Sequence, residues 1–211
     1  MNQIMKPSEI EKKSFAIITQ ELGERTFPEG QSEVIKRVIH TTADFDYAEN
    51  LCFSADAIHA AKTALSEGAT IVTDTTMALS GINKTILAEL GGTVRCFMAE
   101  PEVAAQAKAR GITRAAVSME YASKLSGNVI FAVGNAPTAL IRLHELIEEG
   151  ACKPALVIGV PVGFVNVVES KELFLGGTTP YIIARGRKGG SNVAAAIINA
   201  LQYQIVKREG F

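Results

Sequence analysis

Arg37 and His40 are the two residues whose types and spacing point most directly to chemistry. They lie three positions apart in a segment whose apolar residues, between positions 34 and 39, recur at helical spacing. A helix here buries its apolar face and leaves Arg37 and His40 together on the opposite face. Because an unperturbed imidazole titrates at about 6.5, His40 is a candidate proton donor or acceptor near neutral pH.

The same helix leaves the direction of any pKa shift at His40 open. The apolar period breaks near Thr42, so His40 falls in the last turn, where the helix dipole favours the charged imidazole. The neighbouring charge of Arg37 has the opposite effect. A solvated surface histidine is the alternative interpretation, since a polar helix face most often meets water.

The elements that must position this pair follow a regular alternation of strands and helices. Predicted strands cover residues 51–53, 70–73, 93–98, 128–133, 155–160 and 181–184. Predicted helices cover residues 8–22, a segment ending near 42, 55–66, 83–90, 102–110, 113–125, 137–149, 167–174 and 191–206. Ser8 and Glu11 have the spacing of a capping box at the start of the first helix.

This alternation predicts an α/β fold of three layers, a mostly parallel sheet with helices on both faces. The runs at 129–133 and 156–160 are apolar throughout, which is typical of central parallel strands buried on both sides. No linker or repeat interrupts the pattern, so a single domain is predicted over residues 1–211.

The composition excludes several classes of function. Apolar residues make up 47% of the 211 residues and charged residues 20%, with a formal net charge of −1, which favours neither nucleic acid nor a membrane as partner. No apolar run is long enough to span a membrane, and no signal-like segment precedes Ser8, so a cytoplasmic protein is expected. The three cysteines and three histidines lack metal-ligand spacing, so no metal site is predicted.

The segments that follow the predicted strands are the natural place for a ligand, because open parallel sheets bind ligands beyond the carboxyl ends of their strands. Residues 186–191 (GRKGGS) are the most informative of these segments. Arg187 and Lys188 stand between glycines, and Ser191 can begin a helix whose N-terminal N–H groups favour an anion. A solvated glycine-rich turn is the alternative.

The standard nucleotide and hydrolase fingerprints are missing from the chain. No G-x-x-x-x-G-K-[ST] loop occurs, and no G-x-G-x-x-G or G-x-S-x-G stands between a strand and a helix. From the residues alone, the prediction is a cleft with contacts for carboxylates or phosphates and one candidate proton donor.

Six segments, in order along nearly the whole chain, resemble the precorrin-8X methylmutase family, including its cobalt-precorrin-8 members. They are residues 10–18 (IEKKSFAII), 37–45 (RVIHTTADF), 73–77 (TDTTM), 134–140 (GNAPTAL), 159–165 (GVPVGFV) and 186–191 (GRKGGS). The resemblance implies an isomerase of cobalamin biosynthesis that moves a methyl group from C11 to C12 of a corrin-forming macrocycle, without a cofactor. It implies His40 as the proton donor/acceptor, Ser14 and Arg37 as substrate contacts, and a homodimer.

The substrate implied by the resemblance carries many carboxylates, which extends the set of expected binding residues. Contacts to the tetrapyrrole are expected from Thr75, Thr76, Arg114, Asn135, Arg187, Lys188 and Ser191. Two alternatives remain open: a non-catalytic corrinoid carrier, and an enzyme of a phosphorylated ligand that uses the 186–191 turn. The sequence does not tell whether the substrate already carries cobalt.

Overall fold

A computed structural model describes residues 6–206 as one six-stranded sheet between two layers of helices. Residues 1–5 and 207–211 lie outside the described part. The two ends of the predicted domain, and most of the N-terminal segment that lacks a signal-like pattern, fall on those residues. Within residues 6–206, no helix combines the length and the apolar character needed to cross a bilayer.

The strands pair as a mixed sheet in which all but one edge strand are parallel. They are β1 (Leu51–Phe53), β2 (Thr70–Thr73), β3 (Thr93–Arg95), β4 (Val129–Val133), β5 (Leu156–Gly159) and β6 (Tyr181–Ala184). The spatial order is β1-β6-β5-β4-β2-β3, and only β1 runs antiparallel to its neighbour, with Cys52 opposite Ile183. The chain leaves β2 toward β3 but leaves β4 toward β5. The boundary between β2 and β4 is therefore the point where the strand order reverses.

Helices cover both faces of this sheet. They are α1 (Pro7–Leu22), α2 (Gln31–Thr42), α3 (Tyr47–Asn50), α4 (Ala57–Ser66), α5 (Thr76–Gly81), α6 (Lys84–Glu89), α7 (Pro101–Arg110), α8 (Arg114–Ala122), α9 (Pro137–Glu148), α10 (Val167–Glu172) and α11 (Ser191–Tyr203). The three-layer α/β prediction is confirmed.

The buried side chains form two cores, one on each face of the sheet. Alternate residues of β4 point to opposite faces: Ile130 joins the core under α1, α2, α4 and α11, and Phe131 joins the core under α7, α8 and α9. All five residues of β4 and all four of β5 are buried, which confirms the prediction of central strands from their unbroken apolar runs.

Several predicted boundaries differ from the structure because tertiary packing competes with local pattern. The strand predicted to reach residue 98 ends at Arg95, and a short 3-10 helix (Phe97–Ala99) turns Phe97 into the second core. Helices α3 and α5 are too short to show an apolar period, and the sequence did not predict them. The predicted Ser8–Glu11 capping box is wrong: α1 begins at Pro7, and Glu9 accepts the N–H of Lys6 at 3.1 Å.

Candidate active site

Helix α2 presents Arg37 and His40 on the side that faces away from the core, as its periodicity predicts. The opposite face is fully buried by Val34, Ile35, Val38 and Ile39. The helix ends at Thr42, and the next residue, Ala43, turns the backbone to a φ of 54° while its N–H donates to the carbonyl of Ile39. His40 is therefore held in the last turn of a rigid, well-packed helix.

His40 is half-buried beside an aromatic ring. The imidazole meets Phe15 of α1 edge-on, with 5.2 Å between ring centroids. Partial burial lowers the pKa of His40, and the charge of Arg37 lowers it further, while Glu11 acts in the opposite direction. The lowered pKa favours the neutral imidazole at neutral pH. In the sequence, competing dipole and arginine effects leave this direction open.

A pocket of about 320 Å³ opens beside this imidazole, between α2 and α11. It is lined by Arg37, His40, Thr41, Gly81, Asn192, Ala195, Ala196, Asn199 and Tyr203. Two of the five α11 positions, Ala195 and Ala196, are alanines, which leaves room above the helix. A second pocket of about 690 Å³ shares Arg37 and Tyr203 with the first and extends along α1. His40 thus faces a cleft. This agrees with its interpretation as a candidate proton donor or acceptor, and not with that of a solvated surface histidine.

Arg37 stands between the two pockets and is held from three sides. Its guanidinium contacts Glu11 at 2.5 Å and stacks over the rings of Phe15 and Tyr203, with 4.6 Å and 5.2 Å to their centroids. These contacts fix the orientation of the planar group, which suits recognition of a carboxylate. Sequence reasoning had assigned Glu11 to a helix cap, so this partner of Arg37 was missed.

Asp74 organises the point where the strand order reverses. It follows β2, is 1% exposed, and accepts the backbone N–H groups of Gly134, Asn135 and Ala136 at 2.7–2.8 Å. Burial raises the pKa of Asp74, and these three donors oppose that rise. The N–H groups that precede α9 are therefore occupied by a carboxylate of the chain itself.

The predicted contacts Thr75 and Ser191 lie next to each other across the same edge of the sheet. Their hydroxyl oxygens are 2.8 Å apart, and Thr75 also accepts the N–H of Ala78 as the N-cap of α5. Thr76 is exposed at the first position of α5. The structure thus joins the loop after β2 to the start of α11, whose later residues line the pocket beside His40.

The 186–191 loop reaches the end of α2 through an ion pair. Lys188 contacts Asp44 and Asp46, both at 2.6 Å, and the hydrogen bond from Lys188 to Asp44 lowers the pKa of Asp44. Arg187 has no carboxylate partner among residues 6–206, and its guanidinium lies over the ring of Phe164, 5.5 Å from the centroid. Of the two cations predicted to meet an anion, Arg187 is the one whose charge the described residues leave uncompensated.

The remaining predicted contacts are less closely gathered. The hydroxyl of Ser14 donates to the carbonyl of Ile10 at 2.9 Å, although Ser14 lies three positions after Glu11 and so shares its face of α1. Asn135 has an exposed side chain. Arg114 begins α8 on the other helical layer and lines a separate pocket of about 570 Å³.

Within residues 6–206, no group of three or more metal-ligating side chains comes together.

A half-buried imidazole in a pocket that an arginine flanks, beside a mostly parallel sheet, is typical of an α/β enzyme that handles a proton on an anionic ligand. A family model for precorrin-8X methylmutase matches residues 9–204. The chain belongs to the precorrin-8X methylmutase family, and it is therefore an isomerase that shifts a methyl group.

Individual relatives and a solved structure agree with this assignment. A cobalt-precorrin-8 methylmutase of Salmonella typhimurium is 48% identical over 97% of this chain and 99% of its own length. A precorrin-8X methylmutase of Pseudomonas aeruginosa is 42% identical over 91% of this chain and 93% of its own. The crystal structure of a precorrin-8X methylmutase from Thermus thermophilus superposes with a TM-score of 0.84 at 42% identity, covering 92% of this chain and 95% of that one.

Proposed function

We propose that this protein catalyses the intramolecular shift of a methyl group from C11 to C12 of precorrin-8X or cobalt-precorrin-8, with His40 as proton donor/acceptor. The products are hydrogenobyrinate and cobyrinate, respectively. The single observation that carries the proposal is the placement of His40: a half-buried imidazole, fixed in the last turn of α2, at a pocket flanked by Arg37.

The proposed proton transfer explains why the lowered pKa of His40 is compatible with acid catalysis. In the chain alone, burial and Arg37 lower the pKa of His40, which favours the neutral imidazole. A substrate that brings several carboxylates next to Arg37 adds negative charge near the ring, which raises the pKa of His40 and favours its protonated form. Protonation of the macrocycle then triggers the shift, in which the bond from the methyl carbon to C11 breaks as its bond to C12 forms. The proton returns to His40 afterwards.

The substrate contacts are proposed from charge and position. Arg37, Arg187 and Lys188 supply cations for the substrate carboxylates, while Ser14, Thr75, Thr76, Asn135 and Ser191 supply hydrogen-bonding groups. Arg114 belongs to the same proposed set, although it lines the opposite layer. Because an intramolecular rearrangement needs mainly a positioned acid and a preorganised pocket, no cofactor and no second catalytic acid are required.

We further propose that the protein acts as a homodimer in the cytoplasm. Large apolar side chains stand exposed at the carboxyl edge of the sheet: Met77 is 71% exposed, Phe164 83% and Val165 78%. Exposed apolar side chains of this size favour burial against another surface, which a second copy would provide.

The experiment that tests the function is an absorption time course. The purified protein is incubated separately with precorrin-8X and with cobalt-precorrin-8, and the spectrum and the products are followed. Conversion of one or both substrates is expected, and the faster one identifies the physiological form. Stable pigment binding without a spectral change would instead support a corrinoid carrier. Absence of both binding and conversion would remove the proposal.

A further inference from the structure

Lys171 is a fully buried lysine that the proposed reaction does not use. It lies in α10, is 0% exposed, and no carboxylate within residues 6–206 pairs with it. The neighbouring acidic residues of the same helix, Glu169 and Glu172, are exposed. A buried ammonium without a counter-ion is costly, and methionine would fill a similar volume without that cost. Because burying this charge is costly, we look for the groups that the N–H donors of Lys171 bind.

The ammonium group binds the backbone of the 186–191 loop from the inner side. Nζ of Lys171 donates to the carbonyls of Gly186 and Lys188, both at 2.8 Å. The carbonyl between them, that of Arg187, accepts the N–H of Gly163 at 3.1 Å. The carbonyls of three consecutive residues, 186–188, therefore each accept a hydrogen bond from within the protein. These bonds fix the backbone on both sides of Arg187.

These contacts connect two loops at the carboxyl edge of the sheet. The segment after β5 carries Gly163 and the exposed Phe164, and it leads directly into α10 and Lys171. The segment after β6 carries Arg187, whose guanidinium lies over the ring of Phe164. Since Lys188 is already paired with Asp44 and Asp46, Arg187 is the cation that this arrangement presents at the edge of the sheet.

We propose that Lys171 is a positioning residue for substrate binding: it holds the backbone at Gly186 and Lys188 so that Arg187 is fixed over Phe164 to receive a carboxylate of the substrate. Lys171 itself does not touch the substrate. The inference rests on the proposed function, because it names how one carboxylate of the macrocycle is received.

The first test compares steady-state kinetics of the wild type with those of Lys171→Met, using Lys153→Met, an exposed lysine, as the matched control. Loss of the bonds that fix the loop is expected to raise KM about tenfold, while kcat changes little because His40 is untouched. Lys153→Met is expected to keep the wild-type KM. A fall in kcat with KM unchanged would overturn the proposal.

A double-mutant cycle distinguishes positioning of Arg187 from a general structural role. If Lys171 acts through Arg187, Arg187→Met alone and the double variant Lys171→Met/Arg187→Met have the same KM. Multiplicative effects of the two substitutions would show that Lys171 acts elsewhere and would overturn the proposal.

Two further measurements keep the inference testable if Lys171→Met does not fold or if the wild type converts neither macrocycle. Gly189→Ala displaces the same loop, because its Cβ would lie 2.0 Å from the carbonyl oxygen of Val160, and it is expected to raise KM like Lys171→Met. Amide hydrogen exchange at residues 186–190 needs no substrate, and Lys171→Met or Lys171→Arg is expected to speed it. If the wild type turns over substrate, an unchanged KM in Gly189→Ala would overturn the proposal. Unchanged exchange in a Lys171 variant would overturn it whether or not the proposed function holds.

Discussion

The buried ammonium of Lys171 predicts an unusual dependence of stability on pH. Desolvation lowers the pKa of Lys171 from 10.5 to about 8 in the folded chain. Between those two pH values the unfolded chain holds one more proton than the folded chain, so the free energy of unfolding rises with pH through this window. The unfavourable contribution is fully present below the folded pKa and disappears above the unfolded one.

The magnitude follows from the size of the shift. At about 1.4 kcal/mol per pKa unit, the shift from 10.5 to about 8 corresponds to about 3.5 kcal/mol in full. We expect the free energy of unfolding of the wild type, minus that of Lys171→Met, to rise by about 3 kcal/mol between pH 7 and pH 11.

Urea unfolding of both proteins at a series of pH values measures this difference directly. Lys153→Met provides the control, because it removes an exposed lysine and other titrations cancel in the comparison with the wild type. A difference curve for Lys171→Met that is flat between pH 8 and pH 10.5 would refute the reasoning. It would mean that the pKa of Lys171 is the same in the folded chain as in the unfolded chain.

Three further predictions concern the pocket and the loops around it. Arg37→Ala is expected to raise KM for the polyanionic substrate, with a smaller effect at high salt because screening weakens the charge that is removed; equal effects at both salt concentrations would contradict this. Glu11→Gln removes the charge that raises the pKa of His40, so the descending limb of kcat/KM against pH is expected to move to lower pH, and a limb moved upward would be inconsistent with the electrostatics. Asp74→Ala leaves three backbone N–H groups without their acceptor and is expected to cost about 3 kcal/mol in urea unfolding, whereas a loss below about 1 kcal/mol would show that water replaces the carboxylate.

The features that sequence predicted well are those encoded by near neighbours in the chain. The face of α2 that carries Arg37 and His40 follows from four apolar residues at helical spacing, and the structure buries all four. The unbroken apolar runs of β4 and β5 likewise predicted central strands. In both cases the signal is a local period that burial against the sheet satisfies.

The contacts that sequence did not predict join residues far apart in the chain. Lys188 pairs with Asp44 across 144 positions, and Arg37 pairs with Glu11 across 26. Neither pairing leaves a local pattern, so the sequence pointed to no partner of Lys188 within the chain, and it placed Glu11 in a helix cap. Lys171 stands between glutamates in an ordinary polar segment, and only the fold shows that it is buried.

The role of Asp74 depends on the order of the strands in the sheet. Asp74 directly follows the strand predicted over residues 70–73, but the three N–H groups that it accepts lie after another strand, β4. Only the reversal of strand order between β2 and β4 brings them together, and that order is a property of the sheet.

Turnover by His40→Ala is the most direct test of the account. The variant is incubated with precorrin-8X and with cobalt-precorrin-8, and single-turnover rates are compared with those of the wild type, while pigment binding is measured in parallel. We predict that the variant still binds the macrocycle but loses about 100-fold or more in the rate of methyl shift, because its proton donor is gone. A variant that converts substrate at the wild-type rate would contradict the central claim.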